Sequence, residues 1–171
     1  MRKLMIAGII ALFSLVTFGQ RPCSDTLYRQ FDFWIGEWEA FNVNGQKAGD
    51  SKIELILDSC IILENWTSTA VIKGLHYAGK SYNTWNSTTK KWQQYWVDNT
   101  GSIVSYFDGR YEKNKMIMQT QPPQQPTDSF KILRMSFYNL GPDKVRQHGE
   151  SSTDAGKTWK TDFDLEYRRK K

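Results

Sequence analysis

Short runs of β-branched and aromatic residues, separated by clusters of turn-forming residues, recur along this chain from Gly36 to its end. Each run is five to twelve residues long, and none has sustained helical periodicity. The pattern predicts about ten β-strands joined by tight turns. The predicted turns are NVNGQ (42–46), LDSC (57–60), VIKG (71–74), NSTTKK (86–91), DNTG (98–101), FDGR (107–110), EKNK (112–115), QPPQQP (121–126), NLGPDK (139–144) and TDAGK (153–157).

Residues within the predicted strands alternate in character. Trp92, Gln94 and Trp96 occupy one set of positions, and Gln93 and Tyr95 the other. Two distinct faces per strand are typical of an antiparallel sheet with one face on a core. The sequence therefore predicts an all-β protein.

The shortness of the predicted turns bears on how the strands connect. Sequential hairpins close most easily into an up-and-down barrel, because closure removes both exposed sheet edges. A two-sheet sandwich with longer crossovers is the alternative. We expect an antiparallel barrel of about ten strands, with the proline-rich segment 121–126 as a stiff loop or lid.

The first twenty residues differ from the rest of the chain. Arg2 and Lys3 precede an apolar run from Leu4 to Phe18, and Gly19 follows it, as in a secretory signal peptide. The run is shorter than the roughly 20 apolar residues of a membrane span, so a retained helix is the weaker alternative. We therefore expect a signal peptide over 1–20, a single domain over 21–171, no stable membrane insertion, and a periplasmic or secreted protein.

Two cysteines, Cys23 and Cys60, remain after the predicted signal peptide. Secreted proteins rarely keep a free pair, so a disulfide is expected, and two unpaired thiols are the alternative. Without Arg2 and Lys3 the chain has 21 basic and 18 acidic residues, a net charge of +3. The only basic run, 168–171, lacks the extended basic face that nucleic-acid binding requires.

The stretch FDFWIGEWE (31–39) combines a short predicted helix, Asp25 to Phe33, with a glycine and a tryptophan at the start of the first strand. Ser24 or Asp25 is the expected cap of that helix. The G-x-W of Gly36 and Trp38 resembles the opening of lipocalins and other calycins. The resemblance implies that Trp38 covers the closed barrel end and packs against a basic residue of the last strand, Arg168 or Arg169.

Four longer sequence segments extend the likeness over most of the chain. Together with FDFWIGEWE, these segments resemble a family of secreted bacterial lipocalin-like proteins of unknown function. The resemblance implies a calycin-like barrel outside the cytoplasm and no particular activity. The further words are LILDSCIILENW (55–66), KKWQQYWVDNTG (90–101), SFYNLGPDKVRQ (136–147) and STDAGKTW (152–159).

The word STDAGKTW matches the S-x-D-x-G-x-T-W pattern of the Asp-box, which occurs in sialidase propellers and other secreted glycan-binding proteins. A propeller would need several copies, and the chain has one. The motif predicts a hairpin in which Asp154 accepts backbone hydrogen bonds, Gly156 takes a positive φ and Trp159 packs beside the turn. A sugar contact is the functional alternative.

A ten-strand barrel is usually too wide for side chains to fill, so a ligand cavity is expected. Our leading hypothesis is a barrel that binds a small, partly apolar ligand through aromatic walls and a few polar groups. Arginines facing inward would suit an anionic or hydroxylated ligand, whereas charged strand residues on the wet face would be structural. The candidate binding residues are Glu64, Trp66, Tyr82, Tyr95, Trp96, Arg134, Arg146 and His148.

Other functions are less well supported by motifs. Metal is not expected, because the two histidines, His76 and His148, lie on different strands without carboxylates at ligand spacing. Haem held by His148, or by His76, is an alternative. The sequence contains no G-x-S-x-G motif and no dinucleotide-binding motif. The second hypothesis is an enzyme, such as a lyase, isomerase or hydrolase, that uses Glu64 or His148 as a base. A surface module acting through exposed aromatics and the Asp-box turn is the third.

Overall fold

A computed structural model describes residues 22–122 and 130–171. The predicted signal peptide and most of the proline-rich segment 121–126 lie outside the described residues. Two 3₁₀ turns, Thr26–Arg29 and Asp32–Trp34, precede ten strands. The strands are β1 (Gly36–Asn42), β2 (Lys47–Ile56), β3 (Ile61–Ile72), β4 (Leu75–Asn86), β5 (Lys91–Asp98), β6 (Ile103–Glu112), β7 (Lys115–Gln119), β8 (Ile132–Asn139), β9 (Lys144–Ser152) and β10 (Lys160–Arg169).

The ten strands form one closed up-and-down barrel. Every strand pairs antiparallel with its neighbours in sequence, and β1 pairs with β10 to close the ring. In the closing ladder Trp38 lies opposite Arg169 and Ala40 opposite Tyr167. The predicted antiparallel ten-strand barrel is confirmed.

The aromatic N-terminal stretch closes one end of the barrel. The predicted helix is present as the two 3₁₀ turns, and the first is capped by the Asp25 carboxylate, which accepts from the Leu27 amide at 2.8 Å. Phe31 and Trp34 are fully buried and stack with ring centroids 5.2 Å apart. Trp34 also contacts Phe137 of β8 at 4.5 Å between centroids. Rings of this size fill the lumen at this end, so we call this stretch (31–38) the plug.

Gly36 permits the close approach of an arginine to the plug. Its φ is +139°, and the Arg169 guanidinium occupies the space where a Cβ would stand. That guanidinium lies 4.2 Å from the centroid of the Trp38 ring and donates to the Ile35 carbonyl at 3.1 Å. Arg169 therefore has the position that the resemblance implied, whereas Arg168 lies over Phe41.

A disulfide ties the segment that precedes the plug to the barrel. Cys23 and Cys60 are bonded across 37 positions of sequence, as predicted. Arg29 donates to the Ser59 carbonyl beside it. These contacts place the plug at the end that holds the β2–β3 turn, so the β1–β2, β3–β4 and β5–β6 turns lie at the opposite, open end.

One predicted turn is wrong. FDGR (107–110) lies inside β6, where the pairing with β7 shifts register between Phe107 and Arg110 and Asp108 has a φ of +52°. This irregularity is a bulge, which uses the same turn-forming residues without reversing the chain. Gly109 has no room for a side chain there, because the Trp92 backbone lies against it.

Candidate ligand-binding cavity

A cavity of about 370 Å³ lies inside the barrel between the plug and the open end. Its walls are largely aromatic, from Trp66, Tyr77, Trp96, Tyr106 and Phe163. Phe163 is 38% exposed, so the cavity reaches solvent beside it. The large rings of the N-terminal stretch fill only one end of the lumen, and the other end is left hollow.

Three glycines allow cavity rings to pack directly against the backbone of a neighbouring strand. A Cβ at Gly49 would overlap the Trp66 indole, and a Cβ at Gly79 would overlap the Trp96 indole. Gly149 accommodates the Phe163 ring in the same way. Glycine in a strand interior weakens the strand and often marks a site of close approach. Here the three glycines leave room for the rings beside the cavity.

Glu64 lies deep in the cavity wall. Its side chain points inward from β3 and is only 2% exposed. Ser51 on β2 and Ser81 on β4 donate to its two carboxylate oxygens, each at 2.9 Å. Within the described residues, Glu64 has no lysine, arginine or histidine partner. It is a buried acid held by hydroxyl groups alone.

The hydrogen-bond network continues from Ser81 across the wall. Asn83 donates to Ser81 Oγ at 3.0 Å, and Gln94 donates to Asn83 Oδ1 at 2.8 Å. Buried polar groups need partners, and this chain of bonds supplies them. Ser81, which donates to Glu64, is thereby held in place by Asn83 on β4 and, through Asn83, by Gln94 on β5.

Tyr167 and Gln147 approach Glu64 from the other side of the barrel. The Tyr167 hydroxyl is 2.6 Å from Gln147 Oε1 and 3.5 Å from Glu64 Oε1. A phenol has one proton, so the shorter distance assigns it to Gln147. Tyr167 comes from β10, 103 positions after Glu64, and meets it only because the barrel closes.

Burial dominates the acid–base chemistry of this wall. Desolvation raises the pKa of Glu64 to about 7, against the opposing effect of the hydrogen bonds from Ser51 and Ser81. Burial, with the nearby Glu64 charge, also raises the pKa of Tyr167 well above its usual value. Glu64 is therefore the group of this pair that changes charge near neutral pH.

A second carboxylate, Asp98, lies at the mouth. It accepts from Tyr77 at 3.0 Å and from Trp96 Nε1 at 3.1 Å. Burial acts to raise the pKa of Asp98, but hydrogen bonds from Thr100, Trp96 and Tyr77 outweigh it and hold the pKa at about 2. Asp98 is thus ionised at all working pH values. It orients two cavity rings and shapes the β5–β6 turn.

Three of the eight predicted binding residues line the cavity: Glu64, Trp66 and Trp96. Tyr82 and Tyr95 do not line it. They pair with each other across β4 and β5 with 39% and 38% of their surface exposed. Successive strand residues point to opposite faces, so Tyr95 points outward because Trp96 points inward.

The candidate residues Arg134, Arg146 and His148 lie on the outer face, which is the alternative in which they are structural. Arg134 forms a bidentate pair with Glu150, both bonds 2.9 Å. Arg146 pairs with Asp164 at 2.7 and 2.6 Å. Charged groups on these strands take the wet face, where partners of opposite sign are close.

His148 is on the same outer face, 3.0 Å from Thr161 Oγ1 and 3.7 Å from Glu150. His76 is exposed on the β3–β4 hairpin, with Nδ1 3.1 Å from the Ser68 carbonyl. Neither histidine faces the cavity, so haem in the lumen would lack the axial histidine on which that alternative depended. Across 22–122 and 130–171, no three His, Cys, Asp or Glu side chains form a metal-binding group.

The Asp-box forms the predicted hairpin turn. Asp154 accepts from the Thr158 amide at 2.8 Å and from its hydroxyl at 2.6 Å, and Gly156 has a φ of +84°. The Trp159 indole donates to the Gly156 carbonyl at 3.0 Å, and Arg134 lies 3.9 Å from its ring centroid. The motif's polar groups thus bond within the turn, and its tryptophan is covered by an arginine.

Sequence reasoning missed several residues of the site. A signal is available for Gln94, which lies on the same face of β5 as Trp92 and Trp96. For Gln147 alternation gives no such signal, because both faces of β9 contain polar residues. The missed residues are Ser51, Ser81, Asn83, Gln94, Gln147 and Tyr167.

No family model matches the chain, and a search of curated proteins gives no match. The closed ten-strand antiparallel barrel is consistent with the lipocalin-like fold that the sequence words imply. Among the described helical segments, none has the length and apolar character needed to cross a bilayer.

Proposed function

We propose that this protein is a barrel that binds a small, partly apolar molecule in its lumen. The observation that carries the proposal is the hollow half of the barrel, where aromatic rings surround one buried carboxyl group that has no basic partner among the described residues. Ligand pockets are typically of this kind, mostly apolar with a few convergent polar groups. The volume of about 370 Å³ suits a small organic molecule.

The unfavourable burial of the Glu64 charge supports a functional role for this residue. Keeping Glu64 in the wall raises its pKa to about 7, which marks an unfavourable environment for its charge. A hydrophobic residue there would avoid that cost. Strongly shifted groups that line a cleft are candidates for function, since a purely structural wall does not need them.

We also propose that the protein is periplasmic or secreted and belongs with the lipocalin-like proteins that its words resemble. The apolar N-terminal segment and the Cys23–Cys60 disulfide support an oxidising compartment. Proteolytic mapping of the N-terminus after expression in a bacterium tests this proposal. Recovery of an uncleaved chain in the cytoplasm would contradict it.

The binding function is tested by purifying the full chain from the periplasm without denaturant, followed by native mass spectrometry and an absorbance spectrum. One expected result is a complex whose mass exceeds that of the protein by the mass of a co-purified small molecule. In parallel, the neutral dye N-phenyl-1-naphthylamine is titrated and its fluorescence followed. We expect saturable one-to-one binding.

Two neighbouring aromatics make a matched pair of variants. Trp96→Ala removes a cavity wall and should weaken dye binding by tenfold or more, whereas Tyr95→Ala changes the outer face and should leave it unchanged. Equal effects of the two substitutions would contradict a luminal site. Absence of both an adduct and dye binding would overturn the proposed function.

A second candidate function, acid–base catalysis, is favoured by one observation: the pKa of Glu64 at about 7 is near the optimum for a general base at neutral pH. Glu64→Gln should then abolish turnover of a substrate that still binds. Glu54→Gln, on the outer face of β2, is the matched control. A rate that survives Glu64→Gln would exclude this role.

A further inference from the structure

The charge inside the cavity is opposite in sign to that of the protein. The full chain has a formal net charge of +5. Among the described residues that line the cavity, the charged ones are Glu64 and Asp98, and none is lysine, arginine or histidine. The basic residues of β8 and β9 that the sequence offered as luminal groups are paired with carboxylates outside. An anionic ligand would therefore meet no positive partner in this wall.

The walls themselves favour a positive charge. Aromatic ring faces are electron-rich, and an ammonium group within about 6 Å of a ring centroid is attracted to them, most strongly to tryptophan. The indoles of Trp66 and Trp96 line the cavity and pack against Gly49 and Gly79 of the neighbouring strands. Tyr77, whose ring lies 6.3 Å from that of Trp96, extends this surface towards the mouth.

Glu64 has unused capacity to accept hydrogen bonds. Ser51 and Ser81 each donate one bond to it, and a carboxylate can accept about four. The Tyr167 hydroxyl donates its proton to Gln147 at 2.6 Å. The Glu64 carboxylate therefore has two strong donors, Ser51 and Ser81, and lacks a third. A buried carboxylate is stable only with compensating partners, and a cationic ligand would supply the missing charge.

Asp98 contributes differently. Five hydrogen bonds already occupy its oxygens, from Tyr77, Trp96, Ser102 and both the amide and hydroxyl of Thr100. It therefore acts through its field rather than through contact. A fixed negative charge at the mouth attracts cations into the cleft and repels anions.

We propose that the cavity binds a small organic cation, an amine or ammonium group on an apolar body, with Glu64 as its counter-ion and the Trp66 and Trp96 rings around it. This inference rests on the proposed binding function and adds the chemical class of the ligand.

The affinity of the cavity for a cation should depend on pH. A cation binds the ionised form of Glu64, so binding releases a proton from this residue wherever it is protonated in the free protein. The other titratable groups of the cavity are Tyr77, Asp98, Tyr106 and Tyr167, contributed by β4, β5, β6 and β10. The pKa of Asp98 is about 2, those of Tyr77 and Tyr106 are about 12, and that of Tyr167 lies well above 10. Among the described residues that line the cavity, only Glu64 titrates between pH 5 and pH 8.

The test uses three probes with the same body and different head groups: 4-phenylbutylamine, 4-phenylbutan-1-ol and 4-phenylbutanoate. Their affinities for the full-length mature protein are measured by isothermal titration calorimetry at pH 8. We expect the amine to bind at least tenfold more tightly than the alcohol, and the carboxylate to bind most weakly. Amine affinity should fall roughly a hundredfold between pH 8 and pH 5, as follows from a pKa near 7, while that of the alcohol stays level.

Glu64→Gln should remove both the preference for the amine and its pH dependence, and should leave alcohol binding in place. Glu54→Gln, on the outer face, should preserve both. The head-group preference and the pH profile are properties of the wild-type protein, so they decide the matter even if the Glu64 variant does not fold.

Three outcomes would overturn the inference: an amine that binds no more tightly than the alcohol, a preference that persists in Glu64→Gln, or failure of all three probes to bind. If the neutral dye binds in the lumen in any of these cases, the binding function stands and only the ligand class is wrong. If the dye also fails, both are wrong.

Discussion

Replacing Glu64 with glutamine should change how the stability of the barrel depends on pH. In the unfolded chain this carboxyl loses its proton near pH 4.5, whereas in the barrel burial holds the proton up to about pH 7. Between these values the folded protein binds more protons than the unfolded chain. The free energy of unfolding contributed by Glu64 therefore falls as pH rises through this window and levels off above it.

The magnitude follows from the same two values. Raising a pKa from 4.5 to about 7 corresponds to about 3 kcal/mol of stability that is present below pH 4.5 and lost by pH 8. Glutamine has nearly the same shape and no charge to desolvate. Its oxygen can accept from one of the two serines and its amide can donate to the other.

The assay is urea unfolding of both proteins between pH 4 and pH 8, followed by tryptophan fluorescence and circular dichroism. Other carboxylates titrate equally in the two proteins, so the difference between them isolates Glu64. That difference should shift by about 3 kcal/mol in favour of the variant from pH 4.5 to pH 8. Glu54→Gln is the matched control, because this carboxylate is half-exposed on the outer face beside Lys52. A difference between Glu64→Gln and wild type that does not change with pH would refute the reasoning.

Other predictions concern the plug and the wall. Removing the disulfide with Cys23→Ala and Cys60→Ala should lower the free energy of unfolding by about 4 kcal/mol in the chain-entropy model for a 37-position separation, measured in urea. Arg169→Met should lower the melting temperature by several degrees, since the Ile35 carbonyl loses its donor, whereas Arg168→Met should not; equal shifts would contradict this. Gly79→Val should push the adjacent indole into the lumen and abolish dye binding in a folded protein; unchanged affinity would refute the packing argument.

Local sequence determined much of the fold. Turn residues set the hairpins, and alternation set the two faces of each strand, because both effects act between residues close in sequence. Glu64 was a candidate for the interior because Ile62 and Trp66 flank it on the same face of one strand. The turn assigned to 107–110 failed for a local reason as well, since a bulge and a turn use the same residue types.

Where both faces of a strand are mixed, alternation does not say which face is inside. On β9 the face that carries Arg146 and the face that carries Gln147 both contain polar residues. The choice was made by neighbours distant in sequence: Asp164 offers Arg146 a partner outside, and Tyr167 offers Gln147 one inside. Tertiary pairing therefore placed Arg146, a candidate binding residue, outside, and the described lining of the cavity contains no basic residue.

The sequence by itself determined an antiparallel barrel, a plug and a buried carboxyl group. Only the tertiary structure decided what that carboxyl meets. Ser51, Ser81 and Tyr167 reach Glu64 from three other strands, and their distances depend on strand register and on closure between β1 and β10. Register across a closed ring is set by all ten strands together, so no short segment of the sequence contains the geometry of the site.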